Sequence, residues 1–227
     1  MLAWPLMPGK PPRGLTGARG VRDTEETLLQ VRIHGRGGQG VVTAAELLSV
    51  AAFDGGRHAQ AFPSFGSERT GAPVVAFCRI SESPIRLREP VMQPDVLIIQ
   101  DPTLLHQVDV FQGLQPGGYI LINSTHSFQE LGLSDLVKGR PREHLCTVPA
   151  SELALKFVGR PMPNAALLGG FAAMCGAISL AAVAKAIREK FPGKVAEGNV
   201  AAATAAYDFV QAEIREAAGH AVAASCP

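Results

Sequence analysis

Residues Val31 to Phe53 constrain the fold of this chain more than any other stretch. A short apolar strand around Val31 and Ile33 enters the turn Gly35-Arg36-Gly37-Gly38-Gln39-Gly40 and leaves as an apolar helix opening Val41-Val42-Thr43-Ala44-Ala45. A strand that passes through glycines into a helix aims backbone N–H groups and the positive helix end into a crevice, which suits an anionic group. The spacing Gly35-x-Gly37-x-x-Gly40 formally satisfies the dinucleotide fingerprint. The same glycines would equally let a helix pack tightly on a sheet. An NAD site also needs an acid roughly 20 positions on, at the end of the second strand, to hold the ribose. The candidate second strand, Arg57 to Ala61, ends in no carboxylate, and Asp54 lies in the Asp-Gly-Gly turn before it. No Lys-Ser or Lys-Thr pair follows the glycines, so the Walker pattern is absent.

Further along, Phe62 to Gly71 reads as a loop and Ala72 to Ile80 as an apolar strand. Asp95 to Gln100 and Tyr119 to Asn123 are continuous apolar runs of the kind buried on both sheet faces. Strands alternating with helical stretches predict an α/β fold with a Rossmann-like, doubly wound parallel sheet and a helical C-terminal part. Asp101 and Asn123 fall at the carboxyl edge where such sheets bind ligands. Asp101 followed by Pro102 is also a helix start, with Asp as the cap. His34 and His58 lie on strands beside the crevice, where a histidine held by a satisfied hydrogen bond is the expectation. Helix is expected from Ser151, and a long Ala- and Gly-rich stretch follows Pro161-Met162-Pro163-Asn164 and ends at Phe191-Pro192-Gly193. Gly169, Gly170 and Gly176 there permit close backbone approach. A last helix runs from about Val195 to Ala218.

A chain of 227 residues suits one α/β domain. We divide it into an extension, 1–28, disordered or bound to a partner through Trp4; a single domain, 29–218; and a frayed tail, 219–227. A net charge of +1 with scattered basic residues gives no nucleic-acid or membrane footprint. Charged residues interrupt the longest apolar stretch, so no membrane span is expected. Cys78, Cys146, Cys175 and Cys226 are dispersed, encoding neither a zinc or iron–sulfur site nor a secreted disulfide framework. A reducing cytoplasm is the expected location.

Several segments in one order resemble the gamma subunit of 2-oxoacid:ferredoxin oxidoreductases. They are Val31 to Ala45, Phe65-Gly66-Ser67-Glu68-Arg69-Thr70-Gly71-Ala72-Pro73-Val74, Arg79-Ile80-Ser81 with Pro84-Ile85, Pro94-Asp95-Val96, Asn123-Ser124, Asn164 with Leu168-Gly169, and Lys194 with Glu197 and Asn199. The loop around Glu68-Arg69 is most similar to the pyruvate and branched-chain types, although Ser67 and Thr70 depart from the expected Pro and second basic residue.

The resemblance implies a subunit without catalytic residues or a metal site of its own, inert alone. Its partners would be alpha, beta and delta chains, ferredoxin and coenzyme A. Thiamine diphosphate, Mg and 4Fe-4S clusters would be carried by the partners, and the complex would turn a 2-oxoacid into acyl-CoA and carbon dioxide. Gly35, Arg36, Gly37, Gly38, Gln39, Gly40, Glu68, Arg69, Asn123 and Asn164 are the candidate ligand-binding residues, with the CoA diphosphate at the glycine turn and Arg36 or Arg69 neutralising it. Glu68 and Arg69 read alternatively as an ion pair or an interface contact. A branched-chain 2-oxoacid or oxalate enzyme, and a free-standing dinucleotide-binding module, are the alternatives.

Overall fold

The computed structural model describes residues 28–64 and 70–224, with side chains to 217. Residues 1–27 of the predicted N-terminal extension and the pair Glu68-Arg69 lie outside the described residues. Six strands form one sheet in the order β2-β3-β1-β4-β5-β6. They are β1 (Leu29–Arg36), β2 (His58–Pro63), β3 (Pro73–Ser81), β4 (Val96–Ile99), β5 (Tyr119–Asn123) and β6 (Leu145–Val148). β1, β4, β5 and β6 are parallel neighbours, whereas β3 is antiparallel to both β1 and β2.

The sheet is therefore mixed rather than all-parallel, and loop length gives the reason. Residues 64–72 separate β2 from β3, too few for the dozen or more that a parallel crossover takes, so the chain must return antiparallel. The return inserts β3 between β1 and β2.

The larger core lies on one face. Val31 and Ile33 of β1, with Val96 and Ile98 of β4, meet α1 (Val41–Asp54) and the helices α3 (Ala150–Val158), α4 (Asn164–Cys175), α5 (Leu180–Lys190) and α6 (Gly193–Ala224). α4 is buried on every side from Asn164 to Met174, as befits a helix that is apolar all round. The long Ala- and Gly-rich stretch is two helices rather than one. Gly176, at φ 66°, closes α4, and the Ser179 hydroxyl accepts from Ala182 N to open α5. The last helix begins before Val195 and continues past Ala218 to Ala224. A smaller core of Ile99, Leu104, Val110, Ile120, Ile122 and Phe128 fills the opposite face, beside the short α2 (Ser134–Val137). Among the described residues, no helix is long and apolar enough to cross a membrane.

On that opposite face β1 presents Arg32 and His34. Arg32 Nη2 donates to the carbonyls of Val110 (2.9 Å) and Gln112 (2.6 Å), tying the irregular segment after β4 onto the sheet. His34 is buried, and its Nε2 has no partner among the described residues, where a satisfied hydrogen bond is expected. Burial, reinforced by the charge of Arg32, pulls its pKa from 6.5 down to about 4. The unfolded chain then takes up a proton that the folded chain refuses, so stability falls as the pH drops from 6.5 towards 4. Urea midpoints measured across that range should decline in the wild type and decline less in His34→Gln.

Candidate functional site

The carboxyl ends of β1, β4, β5 and β6 share one edge. After β1 the chain turns onto the larger-core face as α1; after β4 it crosses to the other face through a 3-10 helix, Pro102–His106, whose Leu104 belongs to the smaller core. Where the connections after two adjacent parallel strands leave for opposite faces a crevice opens, here between β1 and β4. A cavity of about 370 Å³ lies along this edge, lined among others by Gln39, Gln100, Asp101, Asn123, Ser151 and Glu152.

The glycine turn is built from both sides. Gly37 N donates to Ala72 O (2.9 Å) and Gly37 O accepts from Gly71 N (3.1 Å), so the turn is stitched to the start of β3. At Gly35 a Cβ would lie 2.6 Å from Val41 Cγ2 and 3.2 Å from the Gln100 amide oxygen, so only glycine lets α1 approach the sheet this closely. Gly40 is left-handed at φ 71° and sits against Asn164 at the start of α4. Gly38, at φ 93°, faces open space. The amides of Val41, Val42 and Thr43 have no backbone acceptor among the described residues. That is the unpaired first turn expected of a helix whose cap offers no side chain.

Asp101 is the centre of the polar network. Its Oδ1 accepts from Thr103 N (3.0 Å) and Thr103 Oγ1 (2.6 Å), which makes it the cap foreseen from Asp101-Pro102. Its Oδ2 accepts from Arg36 Nε (3.0 Å) and Gln39 Nε2 (2.8 Å). Burial alone would raise this carboxyl; the bonds from Thr103 and Gln39 and the charge of Arg36 outweigh it and hold the pKa below the usual carboxylate value. Gln39 folds back to accept Arg36 N (2.8 Å). Arg36 also donates through Nη1 to Gly71 O and through Nη2 to Thr103 Oγ1 and Gln107 Oε1. Its guanidinium is thus almost fully engaged in holding the turn against the β4 end.

Asn123 is likewise bonded within the chain. Its Nδ2 donates to Gln100 O (2.8 Å) and Ser151 Oγ (2.8 Å), and its Oδ1 accepts from Ser151 N (3.0 Å), fastening the start of α3 to the strand ends. The starts of α1, α3 and α4 all border this edge, through Gly40 against Asn164 and Ser151 against Asn123, and each carries the partial positive charge of a helix N-terminus. Gln100, 1% exposed, has neither amide atom paired among the described residues, an arrangement that leaves a buried amide wanting a partner.

Residues 30–209 match the family described as pyruvate ferredoxin/flavodoxin oxidoreductase. The chain belongs to that family. The pyruvate synthase subunit PorC of Methanothermobacter thermautotrophicus is 45% identical over 184 residues, covering 81% of this chain and 97% of that one. The pyruvate/ketoisovalerate oxidoreductases common subunit gamma of Thermococcus kodakarensis is 44% identical, covering 80% and 96%. The crystal structure of pyruvate oxidoreductase subunit PORC from Thermotoga maritima superposes with a TM-score of 0.66 at 34% identity, covering 80% and 96%.

For a member of the pyruvate ferredoxin/flavodoxin oxidoreductase family the glycine turn need not serve NAD, and the topology explains why. In a dinucleotide fold the ribose acid ends the strand beside β1. Here β3 occupies that place, β2 lies one strand further out, and Asp54 pairs with Lys185. Among the described residues no grouping of His, Cys, Asp and Glu suits a metal ion.

The structure brings Gly35 to Gly40, Asn123 and Asn164 together at one edge. Reading the sequence missed Thr103, Gln107 and Ser151 as members of this network. Ser151 was legible as the start of a helix, but nothing local announced its bond to Asn123.

Proposed function

We propose that this chain is the gamma subunit of a multi-subunit pyruvate:ferredoxin oxidoreductase, whose complex decarboxylates pyruvate with coenzyme A and passes the electrons to ferredoxin. The observation that carries the reading is the match, at 45% identity and across 97% of its length, to a subunit named for pyruvate synthase. In this reading thiamine diphosphate, Mg and the 4Fe-4S clusters reside on alpha, beta and delta partners, in the cytoplasm, and supply the carbanion and electron chemistry. A branched-chain 2-oxoacid is the second reading, favoured by a relative whose name makes one gamma subunit common to pyruvate and ketoisovalerate enzymes. Substrate choice would then lie on the thiamine-bearing chains.

This chain's own part is to receive the CoA diphosphate at the start of α1. The amides of Val41, Val42 and Thr43, unpaired among the described residues, the neighbouring helix starts and the adjoining cavity support that reading. Phosphate charge falls to the backbone and to Arg69, because Arg36 is committed to Asp101. Thr43→Glu tests it: a carboxylate in the first turn favours the helix dipole yet repels phosphate. Within the purified complex it should raise KM for CoA about tenfold or more, without lowering the subunit's urea midpoint. Pyruvate-dependent cluster reduction in the absence of CoA should not change. An unaltered KM for CoA would refute the assignment.

A further inference from the structure

Between β3 and β4 the chain runs through Glu82-Ser83-Pro84-Ile85-Arg86-Leu87-Arg88-Glu89-Pro90-Val91-Met92-Gln93 without helix or strand. Among the described residues none of these twelve makes a backbone–backbone hydrogen bond. Such a segment is ordinarily left to solvent and polar. This one exposes Leu87 (40%) and Met92 (63%) beside Arg86 and Arg88. It is nevertheless anchored: Arg79 Nη2 donates to Glu89 O (2.7 Å), Gln30 Nε2 donates to Gln93 O (3.2 Å), and Val91 is buried. A cavity of about 570 Å³ runs beside it, lined by Leu28, Ser81, Pro84, Ile85, Arg86 and Leu87.

The charge is unbalanced. Arg86 and Arg88 form no ion pair among the described residues. Beneath them Arg79, 1% exposed, also lacks an ion pair and keeps Nη1 unpartnered. Against the exposed Arg86 and Arg88 the segment 84–93 carries one carboxylate, Glu89, while Glu82 just before it is taken up by Arg57. Exposed apolar side chains, unpaired main chain and uncompensated positive charge on an anchored segment are complementary to an acidic peptide surface.

We propose that residues 84–93 are a docking segment for an acidic stretch of a partner subunit. Its carboxylates would meet Arg86 and Arg88, its main chain would pair with the unbonded amides and carbonyls, and its apolar side chains would cover Leu87 and Met92. The inference rests on the reading of this chain as one subunit of an assembly.

The test uses the natively purified complex carrying either the wild-type chain or R86E/R88E. The variant should bind its partners at least tenfold more weakly and dissociate at lower salt. The isolated variant should keep the wild-type circular dichroism and urea midpoint, since among the described residues neither arginine forms an ion pair. Leu87→Ala, which keeps both charges, should weaken association with little change in its salt dependence. A photo-crosslinker at Leu87 should capture a peptide of another subunit rich in Asp or Glu. Equal salt tolerance overturns the docking segment while leaving the subunit reading intact. So does a crosslink to residues 1–27 of this chain, to a second copy, or to a peptide without excess acid. A wild-type chain that purifies without partners overturns both.

Discussion

Gly169→Ala is expected to destabilise the chain by about 4 kcal/mol or more, the largest effect foreseen for a single methyl group here. A Cβ at Gly169 would lie 1.9 Å from Ala203 O and 2.8 Å from Ala203 Cα, so it meets backbone of α6 rather than a side chain that can swing away. α4 is enclosed by α6 and the sheet, and a close-packed interior relaxes little. The neighbouring glycine supplies the control. At Gly170 the nearest atoms are side chains, Val210 Cγ2 at 3.3 Å and Leu121 Cδ2 at 3.5 Å, and alanine favours helix by up to about 1 kcal/mol. Urea unfolding should therefore separate Gly169→Ala, with a collapsed midpoint or little soluble protein, from Gly170→Ala, near the wild type. Similar midpoints for the two would mean that α4 and α6 do not cross as closely as described.

Asp101→Ala should cost about 3 kcal/mol and also loosen the site. Removing the carboxylate strands the Nε–H of Arg36, the Nε2–H of Gln39 and both donors of Thr103 at once. The pair is partly open to solvent, with side-chain exposures of 20% and 12%, which keeps the figure at the low end of a buried pair's loss. Because Gln39 and Arg36 define the glycine turn, KM for CoA should rise in the complex more than kcat falls. The pH dependence has a definite sign. A carboxyl held below its ordinary 3.8 in the fold contributes stability that is present above that value and disappears as the pH falls through its lower folded pKa. The wild type should lose this contribution only below about pH 4, under the window in which His34 acts, and Asp101→Ala should lack the acid limb. An unchanged acid limb in the variant would refute Asp101 as the hub.

Much of this was legible because it is local. The apolar run Asp95 to Gln100 predicted β4, Tyr119 to Asn123 is β5 residue for residue, and Asp101-Pro102 announced its own cap. Gly35 and Gly40 were legible as special positions, though not as to purpose: one is occupied by Val41 and Gln100, the other by Asn164. Arg36 was read as a candidate phosphate ligand; its acceptors in the fold lie 35 to 71 positions away, beyond any local pattern. His34 was read as a satisfied strand histidine, and only the packing of the opposite face shows Nε2 without a partner.

The sequence by itself determined the βα unit, the doubly buried strands, the helical C-terminal part and the family, because backbone propensity, turn chemistry and ordered motifs are written along the chain. Only the tertiary structure decided that β3 returns antiparallel beside β1, that three helices start along one sheet edge, and that Asp101 pairs with Arg36. Those outcomes depend on which distant segments share a face once the sheet is assembled, and burial makes each such meeting costly to leave unpaired.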